Sequence, residues 1–360
     1  PITISAGQTT ATLDFTVTDD DLRELSETIE VTVNDNTTTD PQVGSPATFT
    51  YTITDNDRVT GTTGPGGVGA TDGTGSLVLW MRPDNISGLS DNDLVATWPD
   101  GSGYGNDAGQ SASGQRPVYK ENGRNGMPTV EFGGPDSGTF DGTADDMEGA
   151  FSSPTGSTVT YFAVGNNDAV TADDGGQGGG VGRRALAGFE GGSADNRLFV
   201  DANEVRYYDG TTERTGGSIS QGDFVLFDVT HDGSTIDGHL NGSSVISTTS
   251  GNSSGSLSSF VLGNDQTGGD NLDGNLGDII AFDAILNVSQ RTLIQNYLSA
   301  KYDITLAGTD VYAGDTNANG DYDRGMFGVG RESASDFHDA AEADGLGFDN
   351  PTGLDNGDYL

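Results

Sequence analysis

The residues best suited to chemistry are oxygen-bearing side chains at regular spacing. In Asp315-Thr316-Asn317-Ala318-Asn319-Gly320-Asp321-Tyr322-Asp323, oxygen donors occupy the first, third, fifth, seventh and ninth positions and glycine the sixth. That is the first three quarters of a loop that wraps a calcium ion, with glycine permitting the sharp turn. Position twelve, where such a loop needs a bidentate glutamate, is Met326, so another residue must supply the missing ligand. Asp315, Asn317, Asn319, Asp321 and Asp323 are therefore candidate calcium ligands; a polar hairpin turn is the alternative. A second cluster, Asp19-Asp20-Asp21 with Glu24, packs like charges that need solvent, basic partners or a cation, and Arg23 alone cannot balance them. Asp20, Asp21 and Glu24 join the candidates, with a solvated acidic turn as the competing reading. The acidic pairs Asp145-Asp146 and Asp173-Asp174 lie in glycine-rich stretches and read as surface charge.

Other chemistries find less support. Glycoside hydrolases with paired carboxylates alternate them along a strand, as Glu-x-Asp-x-Glu, and no such strand occurs. His231, His239 and His338 lack a metal-ligand spacing, no serine sits in Gly-x-Ser-x-Gly, and Gly178-Gly179-Gly180-Val181-Gly182-Arg183 lacks the Lys-Ser/Thr of a phosphate-binding loop. The expectation is that the chain is not an enzyme. Trp98, Tyr104, Tyr207 and Tyr208 can form a platform for a sugar, but Trp80 and Trp98 adjoin strand patterns and fit a core.

Composition constrains partners. The 360 residues carry 55 acidic against 15 basic side chains, a formal net charge of -40, and no cysteine. Such a chain cannot neutralise a phosphate backbone, so no nucleic acid is expected, and an anionic membrane surface would repel it. Apolar runs such as Leu77-Val78-Leu79-Trp80-Met81 are too short to cross a bilayer, so the chain reads as not transmembrane. Asp supplies 44 of the acids and Glu 11; Arg supplies 13 of the bases and Lys 2. Asp favours turns and caps over helix interiors, so Asp with 57 glycines reads as many turns joining many strands. The charge itself suits a high-salt surface, oxygen ligands for Ca²⁺, or both.

The elements that must position these residues are strands. Period-two alternation in Ala11–Val17, Ile29–Val33 and Ala47–Ile53 predicts a β-sandwich segment over 1–57. Ile4-Ser5-Ala6-Gly7-Gln8-Thr9, Val17-Thr18-Asp19-Asp20-Asp21 with Glu24 and Glu27, and Thr52-Ile53-Thr54-Asp55-Asn56-Asp57 resemble the Calx-β family. The resemblance implies a Greek-key sandwich whose acidic loops and closing Asp55 and Asp57 hold calcium at one end. A complete domain of that family has further strands before Pro1, so only a partial one is expected.

Residues 58–76, with seven glycines and one proline, read as a linker. A larger β-rich unit is expected over 77–306, with one short helix where Leu293, Ile294, Tyr297 and Leu298 share a face and Ser289 serves as N-cap. Leu79-Trp80-Met81-Arg82-Pro83, Trp98-Pro99-Asp100-Gly101-Ser102-Gly103, Asn125-Gly126-Met127-Pro128-Thr129-Val130-Glu131-Phe132, Gly238-His239-Leu240-Asn241-Gly242 and Leu276-Gly277-Asp278-Ile279-Ile280-Ala281-Phe282 resemble the LamG-like, concanavalin A-type lectin sandwich. That resemblance implies a jelly roll. Met326-Phe327-Gly328-Val329-Gly330-Arg331-Glu332-Ser333 and Gly353-Leu354-Asp355-Asn356-Gly357-Asp358-Tyr359-Leu360 resemble a module that follows LamG-like domains in large bacterial surface proteins, so 307–360 is expected to be an Asp/Gly-rich β module, and it reads as truncated.

The expected fold class is thus all-β, tandem β-sandwiches with one short helix. The expected function is a segment of a large secreted or cell-surface bacterial adhesin or structural fibre protein, stiffened by Ca²⁺ and partnered by neighbouring domains of the same polypeptide. A calcium-dependent module binding a glycan or peptide is the alternative; a polysaccharide-active enzyme ranks third. Localisation is expected to be extracellular, on the cell surface or secreted.

Overall fold

The computed structural model describes residues 10, 12–16, 27–32, 48–53, 63–133, 145–152, 155–168, 184–191, 194–201, 203–252, 255–264, 270–319, 322–343, 346–349, 351 and 353–360. The chain divides into two units, Pro1–Val59 and Thr60–Leu360.

In the first unit, Glu27–Thr32 pairs antiparallel with Thr48–Ile53, setting Ile29 opposite Tyr51 and Val31 opposite Phe49. Because side chains alternate along a strand, these four share one face and Thr28, Glu30, Thr50 and Thr52 the other. Phe15 meets Tyr51 edge to face at 5.9 Å. Asp20, Asp21, Glu24, Asp55 and Asp57 lie outside the described residues.

The second unit is built on two antiparallel sheets. Sheet I runs in the order Glu213–Gly216, Val205–Asp209, Ala194–Val200, Arg184–Gly191, Ser259–Leu262, Met147–Ala150, Ala108–Gly109, Thr97–Trp98. Sheet II runs Ser243–Thr248, Ile236–Leu240, Val225–His231, Val159–Gly165, Gly274–Phe282, Met127–Phe132, Val118–Arg124, with Leu77–Met81 also paired to Gly274–Phe282. A helix, α1 (Val288–Tyr302), is the one α-helix among the described residues. The fold class is all-β, as expected.

Sheet II is covered on both faces. Tyr161, Ala163, Phe227 and Ile279 point into the core between the sheets with Trp98, Phe189 and Tyr207; Tyr161 stacks on Phe189 at 4.3 Å. Their neighbours Phe162, Val164, Leu226 and Ile280 point the other way, into a second core closed by Leu293, Ile294, Leu298 and Tyr302 of α1. This double covering explains why Val159–Gly165 and Val225–His231 are buried along their whole length. Trp98 and Tyr207 are fully buried and Tyr104 and Tyr208 spend their hydroxyls on Gly75 O and Gly210 O, so the four aromatics form no sugar platform.

Four local expectations are corrected. The N-cap of α1 is Asn287, not Ser289: Asn287 accepts from Gln290 N at 2.9 Å while Gln290 Oε1 accepts from Asn287 N at 3.1 Å, a reciprocal capping box. Ser289 is buried and donates to Asp336. Residues 64–76 are not a free linker. Val68 and Ala70 are buried, Gly66 O accepts from Gly328 N, and His338 Nε2 bonds Gly67 O at 3.0 Å. Gly66, at φ +66°, is required: a Cβ there would lie 2.8 Å from Leu293 O of α1. Residues 307–360 are likewise part of the second unit rather than a separate body, since Met326 and Tyr359 pack against the second core and Asp336 caps α1. Finally, Asp145 is not surface charge; it is buried and accepts from Gly133 N at 3.1 Å.

No helix among the described residues is long and apolar enough to cross a membrane.

Candidate functional site

The C-terminus of α1 opens into a cleft of about 480 Å³. Asp303, which ends the helix in the left-handed conformation at φ 50°, forms one wall, and Ser299, Ala300, Ile304 and Thr305 line its floor. The segment that follows is staked to the helix by Asn296: its Oδ1 accepts from Val311 N at 2.9 Å and Tyr312 N at 3.0 Å, and its Nδ2 donates to Thr309 O at 2.7 Å. This brings Asp310 to the cleft edge.

The candidate calcium loop closes the opposite wall. Two 3₁₀ turns, Ala313–Asp315 and Asn317–Asn319, are tied together where Asn319 Nδ2 donates to Ala313 O at 2.7 Å. Tyr322 N donates to Gly314 O at 2.8 Å and Tyr312 Oη to Tyr322 O at 2.9 Å, so the loop returns on itself. Asp315 and Asp323 both line the cleft, joined by Thr316. Asn125, at the tip of the turn between Val118–Arg124 and Met127–Phe132, donates to Asp323 Oδ2 at 3.0 Å and to Ala300 O at 3.2 Å.

The electrostatics are one-sided. Asp303, Asp310, Asp315 and Asp323 line the cleft, and none of its described lining residues is basic. The helix adds the negative end of its dipole, equivalent to roughly half an elementary charge. Arg124 answers part of this from outside, donating to Tyr302 O at 2.8 Å and Asp303 O at 2.7 Å and lying 3.7 Å from the Asp303 carboxylate. Burial, then Asp310, raises the Asp315 carboxyl above its ordinary range, and Asp323 and Asp303 add to the shift. Like charges disfavour one another's ionised form until a cation intervenes.

Hard oxygen donors are the chemistry calcium takes. They are not pre-gathered: among the described residues no three acidic or histidine side chains are close enough to hold an ion by themselves. Of the sequence candidates, Asp315 and Asp323 meet at one cleft; Asn319 faces the turn it holds; only the backbone of Asn317 is described; Asp321 lies outside the described residues. Met326, at the twelfth position, packs against the second core and supplies no oxygen. Asp303 and Asp310, which precede the loop, are the carboxylates that sequence spacing missed. Their signal was the helix end, since Asp303 follows its last residue.

No protein-family profile matches the chain, and no curated protein matches it. Solved structures similar to it include Trypanosoma rangeli sialidase in complex with sialic acid, at 14% identity and TM-score 0.42 over 67% of this chain and 36% of that one. The botulinum neurotoxin serotype D binding domain is similar at 9% identity and TM-score 0.44, covering 64% of this chain and 54% of that one. The binding domain of Paraclostridial Mosquitocidal Protein 1 is similar at 11% identity and TM-score 0.42, covering 61% and 51%. The chain spans about a third of the length of the sialidases it matches. The expectation that the chain is not an enzyme is corrected here. Sialidases are enzymes, and the paired-carboxylate strand used as the criterion is not their pattern, because their nucleophile is a tyrosine. At these scores the likeness assigns no reaction and no residue to this chain.

Proposed function

We propose that this chain is a segment of a secreted or cell-surface adhesin or structural fibre protein, in which a divalent cation of the calcium class fastens the loop 307–323 to the end of α1. The observation that carries this reading is the convergence of Asp303, Asp310, Asp315 and Asp323 on one cleft with no basic side chain among its described lining residues. A cation entering there would neutralise mutual repulsion and complement the helix terminus. Asp315, Asp323 and Asp310 would bind it directly, with Asp303 and the Thr316 hydroxyl completing an oxygen shell closed by water. An external location suits the reading, because extracellular modules work with weak calcium sites at high ambient calcium.

The test is thermal denaturation of the whole chain in calcium chloride against sodium chloride of equal ionic strength. Ligand binding to the native state alone raises the melting temperature by mass action. The proposal expects a saturating rise in calcium, reversed by chelator, with hydrogen exchange slowed across 303–323. Identical curves in both salts would sink it.

A further inference from the structure

We propose that Lys301 and Asp278 condense into an intramolecular amide bond that staples α1 to sheet II. The inference rests on a buried cluster that shares no residue with the lining of the acidic cleft and stands independently of the calcium reading. Lys301 is 3% exposed and its Nζ lies 2.8 Å from Asp278 Oδ1 and 2.6 Å from Asp84 Oδ1. Asp278 is fully buried; its Oδ1 also accepts from Tyr302 Oη at 2.7 Å, and its Oδ2 accepts from Trp80 Nε1 at 3.0 Å. The walls are aromatic. Tyr297 and Tyr302 have ring centroids 5.7 and 5.4 Å from Nζ, and Trp80 meets Tyr297 edge to face. Gly277 lets Tyr302 lie across the carboxylate, since a Cβ there would come within 2.7 Å of its ring.

The choice of lysine is informative. This chain uses 13 arginines and 2 lysines, and arginine serves its other well-buried carboxylate pairs, such as Arg214 with Asp209. Arginine is the better residue for a permanent buried ion pair, being always charged and bidentate. A primary amine differs in that it can be acylated. Burying an ammonium and a carboxylate costs several kcal/mol per ion, whereas an amide carries no charge to desolvate. Fixed proximity supplies what the uncatalysed condensation lacks in water, where effective molarities for well-oriented groups reach about 10⁵ M or more.

The atoms balance without an added reagent. Asp84 first takes one proton from the ammonium, which frees the Nζ lone pair; Nζ then bonds to Cγ of Asp278, that proton and a second from nitrogen pass to Oδ1, and the Cγ–Oδ1 bond breaks as Oδ1 leaves as water. Asp84, bonded to Nζ and one-third exposed at its side chain, carries protons between nitrogen and departing oxygen and opens the way out for the water. Trp80 Nε1 holds Oδ2, the oxygen that remains as the amide carbonyl, and stabilises the charge it gathers during attack.

The experiment is intact-mass measurement of the denatured full chain, followed by tryptic peptide mapping. The proposal expects a mass lower than the sequence mass by one water, and one branched peptide joining the segments that contain Asp278 and Lys301. Lys301→Arg, which keeps the charge pair, should return to its own sequence mass, and Asp84→Asn should slow the mass loss while leaving the fold's melting cooperative. A wild-type chain at its sequence mass, with Lys301 acylated by an amine reagent after denaturation, overturns the proposal. So does a loss of water mapped to any other residue.

Discussion

Lys301, in the ion pair from which the amide would form, is held by opposing forces. Burial disfavours its charge, yet Asp278, then Tyr297 and Asp84, outweigh burial and hold the ammonium above the ordinary lysine range, so a proton must pass to a neighbouring carboxylate before Nζ can attack. His338 shows the opposite balance. Burial pushes its imidazole below the usual histidine value, and the bond to Gly67 O only partly compensates. His231, buried beside Tyr207 with Nδ1 2.9 Å from its hydroxyl, is shifted the same way. A histidine whose folded value is depressed binds its proton more readily unfolded, so its stabilisation is complete above the ordinary value near 6.5 and is lost as pH falls through it. Melting temperature should therefore decline between about pH 7 and pH 5. His338→Gln, whose amide can donate to Gly67 O, should flatten that decline, and an unchanged slope would show that His338 does not contribute to it. Gly66 makes a second residue-scale prediction: Gly66→Ala combines a left-handed backbone with a contact to Leu293 O and should cost roughly 1–3 kcal/mol in urea unfolding.

Neither glycine nor histidine announces its role in the sequence. The seven glycines of 58–76 read as a linker because composition reports conformational freedom, whereas Gly66 and Gly67 serve close approach to α1 and to Ala341 and Gly328. Asp315 and Asp323 were legible because one local turn sets their spacing. Asp303 and Asp310 were not, because the cleft they share with that turn is made by Asn296 staking a loop from a distant face of the helix.

At the scale of elements, α1 is held at both ends by contacts that reach beyond it. Asn287 and Gln290 form the box at its start, and Asp336, 47 residues on from Ser289, accepts from Ser289 N at 3.0 Å and places negative charge at the positive helix end. At the other end Arg124 and Asn125 take up carbonyls of Ala300, Tyr302 and Asp303. Asn287→Ala should cost about 1 kcal/mol, the usual value for a lost N-cap, read as a shift in denaturation midpoint with unchanged slope. The helix was foreseeable from Leu293, Ile294, Tyr297 and Leu298; its cap was not, because Ser289 is an equally good capping type and only the fold shows it buried against Asp336. Strands were the most legible elements. What alternation could not reveal is which strands lie under α1, since Val159–Gly165 and Val225–His231 are apolar or buried on both faces and lack the alternating signature.

For the whole molecule, the charge of -40 divides into unequal parts. Many aspartates hold turns; at Asp209 burial opposes ionisation, but hydrogen bonds from Thr212, Asn252 and Thr211 outweigh it and lower the carboxyl to about 2, and Arg214 pairs with it. Those carboxylates are satisfied and need no metal. The cleft at the end of α1 is different, because four carboxylates line it while only Asp303, beside Arg124, and Asp323, beside Asn125, have a partner side chain among the described residues. Calcium titrated calorimetrically into the full chain at fixed ionic strength, alongside the Asp315→Asn/Asp323→Asn variant, tests the central claim most directly. The account predicts a saturable heat in the wild type from which the variant loses one site, with the variant's fold intact by far-ultraviolet circular dichroism; equal binding by the two proteins, or none by the wild type, would contradict it.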